Sequence, residues 1–145
     1  QMCIRDRNIR TELQDASVCR EEWKDSADVV LCDVPCSGLG IIRKKPEIRF
    51  KNPDEIRTLP EIQARILANC AQYVKKGGTL VYSTCTILQR ENEDVVRAFL
   101  TENPEFEAVS WTHPVCGERA DGMVTLLPPV HNTDGFFIAK MHRKV

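Results

Sequence analysis

The chain lacks an imbalance of charge. Twenty Lys and Arg stand against 21 Asp and Glu, a formal net charge of -1 over 145 residues, so no global positive field points to nucleic acid and any such partner must be read from a local patch. It also lacks long apolar runs: stretches such as Val29 to Cys32 have strand length and fall far short of the roughly 20 residues a membrane-spanning helix needs. Aromatics are scarce at 6% and Gly numbers only seven, while 42% of residues are hydrophobic and 28% charged. That balance excludes collagen-like and disordered classes. There are no internal repeats and no low-complexity segments. The three histidines, His113, His131 and His142, have no partner at catalytic spacing and are read as surface or core residues.

Cysteine, by contrast, is plentiful. Cys3, Cys19, Cys32, Cys36, Cys70, Cys85 and Cys116 make an odd count with no basic-then-apolar signal segment ahead of them, which suits a reducing, cytoplasmic home rather than a disulfide framework. Structural zinc is disfavoured because there is no Cys-x-x-Cys pair and the Cys32 to Cys36 spacing has no matching Cys/His pair. No metal site is expected. Residues 1–10 begin Gln1-Met2-Cys3-Ile4-Arg5-Asp6-Arg7, neither a natural start nor a targeting peptide, and receive no fold interpretation; residues 11–145 fit one domain by length.

Along the chain, Val29-Val30-Leu31-Cys32 reads as a strand buried on both faces, ending at Asp33. A loop follows at Val34-Pro35-Cys36-Ser37-Gly38-Leu39-Gly40. Arg43 to Lys51 then gathers five positive charges and one negative, the one concentrated basic patch. From Asp54 to Lys76, Ile56, Leu59, Ile62, Ile66, Leu67, Cys70, Tyr73 and Val74 recur at helical spacing. Pro60 is a candidate break and Gly77-Gly78 the stop. Thr79 to Tyr82 reads as a second buried strand with a polar tip at Ser83-Thr84-Cys85-Thr86, and Glu91 to Leu100 as a helix closed by Asn103-Pro104. Beyond it the pattern turns β: Phe106 to Trp111, Val124 to Leu127 and Gly135 to Met141. Strands alternating with long helical crossovers predict an α/β domain with a largely parallel sheet and an antiparallel edge.

If the first two strands are parallel, a right-handed crossover puts both carboxyl ends on one edge, where ligands of open α/β sheets bind. Topology alone then brings Cys36 and Cys85 face to face. One chemical reading makes one of them a covalent nucleophile, since a thiolate is a strong nucleophile near neutral pH. The plain reading makes both small core hydrophobes, and Cys19, Cys32 and Cys70 are assigned to that class. Gly38-Leu39-Gly40 is a weak phosphate cradle, lacking the other glycines and the Lys of the familiar motifs.

Asp33-Val34-Pro35-Cys36-Ser37-Gly38 resembles the Asp-Ala-Pro-Cys-Ser-Gly motif, and Tyr82-Ser83-Thr84-Cys85-Thr86 the Thr-Cys motif, of the RNA cytosine-5 methyltransferases of the Sun/Fmu (RsmB-like) family. Further matches fall in register: Ile42 to Phe50, Lys76 to Tyr82, Glu91-Asn92, and the closing Asp134 to Lys140. The resemblance covers nearly everything after residue 10. Leu88-Gln89-Arg90-Glu91-Asn92 departs from the usual Pro-Glu-Glu-Asn, and Val34 stands for Ala. The family's Gly-rich S-adenosylmethionine loop and ribose-holding acid should lie upstream and are not in this sequence, so the chain is expected to be the C-terminal half of a Rossmann-like catalytic domain.

The resemblance implies S-adenosylmethionine-dependent methylation of cytosine C5 in RNA, with ribosomal RNA as the expected substrate. Cys85 would attack C6, and Cys36 would assist breakdown of the methylated adduct. Asp33 would contact the cofactor or the base edge, and Asp15 would hydrogen-bond the adenine end of the cofactor. Arg43, Lys44, Lys45 and Arg49 are the expected RNA contacts, and the target base would have to leave any stack, favouring single-stranded or loop RNA. No membrane partner is expected. Two alternatives stay open: an inactive fragment that keeps only a basic RNA-facing edge, and a DNA cytosine-5 methyltransferase, in which the Pro-Cys residue attacks.

Overall fold

The computed structural model describes residues 9–145; Cys3 and the rest of residues 1–8 lie outside the described part. Strand β1 (Ala27–Asp33) runs parallel to β2 (Val74–Thr84), pairing Val29 with Thr79 and Asp33 with Ser83. On the other side of β2 lies β7 (Phe136–Arg143), antiparallel, with Ser83 opposite Ile138. Two short strands, β3 (Phe106–Ala108) and β6 (Met123–Leu126), pair antiparallel with β7. A separate ribbon joins β4 (Trp111–His113) to β5 (Gly117–Arg119). The expected α/β class is present. The balance within the sheet differs from expectation, because β1 with β2 is the one parallel pair among the described residues.

Helix α1 (Pro53–Ala71) makes the crossover between β1 and β2. It starts where Pro53 presets the first-turn φ and the Asn52 side chain accepts from the Asp54 N–H. Pro60 does not divide it: the helix runs through. Nor does it reach Lys76. Val74 already pairs with Ala27, and the register irregularity between Ala27 and Val29 accommodates Gly77 and Gly78 inside β2. Gly77 has φ +77°, and a Cβ on Gly78 would lie 2.8 Å from Val74 and 2.9 Å from the Lys75 carbonyl, so the glycine pair serves a strand irregularity and not a helix end.

Helix α2 (Glu93–Glu102) follows β2 and buries Val95, Val96 and Phe99. A single-turn helix α3 (Pro128–His131) precedes β7. Along β7, Phe137, Ala139 and Met141 are buried and alternate with half-buried neighbours, the period of a strand with one covered face. They form one core with Leu80, Tyr82, Leu67, Val96 and Phe99. The opposite face is open: Val29 and Leu31 are 64% and 68% exposed. β1 is therefore not buried on both faces among the described residues, as its unbroken apolar run suggests. No helix among them is long and apolar enough to cross a membrane.

Candidate active site

Because β1 and β2 are parallel neighbours, the loops that leave Asp33 and Thr84 emerge at the same edge. Cys36 Sγ and Cys85 Sγ meet there at 3.2 Å, both half-buried and both free thiols. They line a cavity of about 410 Å³ together with Asp33, Lys45, Glu47, Lys51 and Phe136. Asp33 is exposed and its carboxylate accepts from the Ser83 hydroxyl across the strand pair, at 2.8 Å. Lys51 Nζ donates to the Ser37 carbonyl at 2.8 Å and lies 3.4 Å from that of Cys36.

Burial, then the contact with Cys85, pushes the Cys36 thiol up to about 12, although the Gly38 and Cys85 N–H groups pull the other way. Cys36 therefore keeps its proton at neutral pH, and either sulfur can donate across the 3.2 Å contact.

The loops are held by backbone as well as side chains. Gly40 N–H donates to the Cys85 carbonyl at 3.0 Å, and the Gly135 N–H donates to the Gly40 carbonyl at 2.8 Å. Beneath them lies a buried polar cluster of Ser37, Gln63, Thr84, Thr86, Glu91 and Asn92. Sequence reasoning missed most of this cluster. A usable signal was present in Gln63, a polar residue at an apolar position of α1, four residues from both Leu59 and Leu67.

The expected basic residues divide. Arg43 and Lys44 face Asp134, Arg43 at 3.6 Å and Lys44 in closer contact. The Lys44 and Arg43 cations hold the Asp134 carboxyl below its usual range. Lys45 lines the cavity itself, while exposed Arg49 bonds the Pro46 carbonyl and lies over the Phe50 ring. Lys51 and Phe136 belong to the site although neither was singled out from the sequence.

Asp15 is not brought to this cavity. Its carboxylate accepts from the Ser17 hydroxyl and N–H, at 2.7 and 2.9 Å, which holds its pKa below the usual value. Its turn docks on α1 through Asn69, which bonds the Ala16 and Val18 carbonyls. Cys19, Cys32 and Cys70 take structural places: Cys32 is in the core, Cys70 packs against it, and Cys19 bonds Gln72. His113 and His131 each accept backbone N–H groups through Nδ1.

Beside the cavity, Leu31, Val81, Ile138 and Phe136 with Asp33 and Ser83 line an apolar concavity of about 250 Å³ on the open sheet face. An apolar floor with one carboxylate at its rim fits part of a nucleoside-type cofactor. Asp33 lines both the cavity and this concavity; Asp15 lines neither.

Comparison with known proteins gives a match over residues 3–142 to the family described as 16S rRNA methyltransferase RsmB/F. The chain belongs to that family. A relative from Bacillus subtilis (strain 168), named probable ribosomal RNA small subunit methyltransferase B, is 43% identical over 94% of this chain and 32% of its own length. The ribosomal RNA small subunit methyltransferase B of Thermus thermophilus is 40% identical over 82% of this chain and 30% of its own. The crystal structure of PH0851 superposes with a TM-score of 0.82 at 37% identity, covering 90% of this chain and 30% of that one. The chain thus spans about a third of the length of the curated relatives it matches.

Proposed function

We propose that this chain carries the cytosine-handling part of an S-adenosylmethionine-dependent RNA cytosine-5 methyltransferase, with ribosomal RNA as substrate. The observation that carries the reading is the thiol pair, 3.2 Å apart at the carboxyl edge of two parallel strands. Carbon 5 of cytosine is not nucleophilic until a thiolate adds at C6, and covalent catalysis divides that difficult step into easier ones. Cys85, in the Thr-Cys motif at the end of β2, is the residue that adds, and burial pushes the Cys36 thiol up, away from the thiolate form that attack requires.

Asp33 faces the cavity and can share a proton with cytosine N3 or accept from the N4 amine. When bound, S-adenosylmethionine supplies the electrophilic methyl group that C5 takes up. After C5 loses its proton, Cys36 assists breakdown of the adduct, which re-forms the aromatic ring and frees the Cys85 sulfur. Phe136 offers a π-face to a base turned out of its stack. Lys45 and Lys51 add positive charge at the rim, where phosphates of a single strand would pass. Six free cysteines among the described residues agree with a reducing, cytoplasmic home.

The DNA-enzyme reading, in which the Pro-Cys residue attacks, is disfavoured by the second cysteine, Cys85, carried in the Thr-Cys motif. The deciding experiment uses a protein of the relatives' full length, incubated with substrate RNA and run on a denaturing gel. Cys85→Ala should abolish both methyl transfer and any covalent adduct. Cys36→Ala should leave RNA attached through Cys85. An adduct in Cys85→Ala and none in Cys36→Ala would reverse the assignment.

A further inference from the structure

Glu91 is fully buried, and none of the ion pairs among the described residues includes it. A carboxyl in such a place is costly unless its bonds serve the fold or the site. Its Oε2 accepts from the Ser37 N–H at 2.8 Å and from Gln63 Nε2 at 3.0 Å, and the same Gln63 amide donates to the Pro35 carbonyl at 3.0 Å. Pro35 and Ser37 are the two residues that flank Cys36. The next residue, Asn92, does the same for Cys85: its Oδ1 accepts from the Thr84 hydroxyl at 2.6 Å and its Nδ2 donates to the Thr86 carbonyl at 3.1 Å. The two loops are then joined directly by the Ser37 and Thr86 hydroxyls, 2.7 Å apart. Tyr82, rising from the core on β2, donates its hydroxyl to the Glu91 carbonyl at 2.6 Å and so fixes the dipeptide to the sheet.

We propose that Glu91 and Asn92 are positioning residues that together set the separation of the two thiols, Glu91 by holding Ser37 directly and Pro35 through Gln63, and Asn92 by holding both flanks of Cys85. The proposal rests on the reading of Cys36 and Cys85 as a working pair. Neither side chain hydrogen-bonds a sulfur among the described contacts. A loop tethered on both sides of one residue leaves that residue's side chain free in the cavity while fixing its Cα, which is how a supporting shell narrows the geometry of a site.

The test uses this chain and needs neither RNA nor a methyl donor. Phenylarsine oxide reacts with two thiols held close together, exchanging its As–O bonds for two As–S bonds and releasing one water, with no change in sulfur oxidation state. Its capture rate at Cys36 and Cys85, assigned by peptide mass mapping, reads the pair. Iodoacetamide reads each thiol singly. Glu91→Ala and Asn92→Ala should slow arsenical capture about tenfold, the scale of one lost buried hydrogen bond, while iodoacetamide labelling of Cys85 stays within about twofold. Glu91→Gln, which keeps an acceptor oxygen for Ser37 and Gln63 in the same shape, should restore capture.

Equal capture in all folded variants would overturn the proposal. So would Glu91→Gln behaving like Glu91→Ala, with single labelling of both thiols rising as the melting temperature falls, since that describes a loosened core. If Glu91→Ala does not fold, Thr86→Val decides: it removes the hydroxyl link between the loops, together with the longer bond that the same hydroxyl accepts from the Leu88 N–H, and unchanged capture would count against the proposal. Failure of the RNA adduct experiment with capture still dependent on Glu91 would remove the functional reading and leave the positioning role intact.

Discussion

Cys36 Sγ lies 3.2 Å from Cys85 Sγ although 49 residues separate them. The closeness follows from the strand register. Asp33 is paired with Ser83, so Cys36 is three residues and Cys85 two residues beyond a matched pair at the end of two parallel strands.

The raised Cys36 thiol predicts how its own chemistry depends on pH. Cys36 has an ordinary value of 9.0 and is pushed up to about 12 by burial and by Cys85. Between those values the folded chain keeps a proton that the unfolded chain releases, so this contribution to stability is complete below about pH 9 and is lost as pH rises toward 12. Iodoacetamide labelling of Cys36 should be slow at pH 8 and should keep rising past pH 10, where an ordinary thiol has levelled off. Peptide mass mapping over a pH series checks it. Cys36 labelling that levels off near pH 9 would contradict the assignment of the retained proton.

The loops also depend on a backbone contact that permits no side chain. A Cβ on Gly40 would stand 2.1 Å from the Gly135 carbonyl oxygen and 2.8 Å from that of Cys85, neither of which is the flexible end of a side chain. Gly40→Ala should therefore destabilise the chain by roughly 1–3 kcal/mol, the usual cost of overpacking, and should shift the Cys85 loop. Urea unfolding with an unchanged m-value measures the first effect, and a changed rate of Cys36–Cys85 arsenical capture the second. A Gly40→Ala chain as stable as the parent would contradict the contact.

Much of this was legible in the residues themselves. The strands, the crossover and the meeting of the two cysteine loops follow from apolar runs, helical spacing and the handedness of parallel connections. What was not legible has particular causes. Gly77 and Gly78 read as a helix stop, yet they sit within β2, because Val74 finds a partner in Ala27 before them; pairing across 47 residues overrides a local signal. The turn that Asp15 forms with Ser17, and its docking on α1 through Asn69, were not legible either, because they depend on a helix more than 50 residues away. Lys51 looked like one more charge in a basic run, and only the fold shows its Nζ on the Ser37 carbonyl. Glu91 was visible as part of a motif, while its burial depends on Gln63 arriving from a helix 28 residues away.

The basic edge gives the last prediction, because the structure ranks residues that the sequence treats alike. Arg43 and Lys44 are partly neutralised by Asp134, whose lowered pKa keeps it charged throughout the neutral range and below its ordinary value of 3.8. Lys45 and Arg49 have no carboxylate partner among the described ion pairs, and Lys45 lines the cavity. Each phosphate contact by a cation contributes about 0.7 to the slope of log K against log salt for single-stranded nucleic acid. Replacing both Lys45 and Arg49 with Ala should therefore lower the slope for a single-stranded RNA by about 1.4 and weaken binding alike across sequences. Replacing Arg43 and Lys44 should do less, since removing them also frees the Asp134 charge. Asp134→Asn should tighten binding and steepen the slope, because two cations are released toward the phosphates. Fluorescence anisotropy at several salt concentrations separates the three outcomes. Equal losses from both pairs, or no gain from Asp134→Asn, would show that this edge does not meet RNA in the arrangement described.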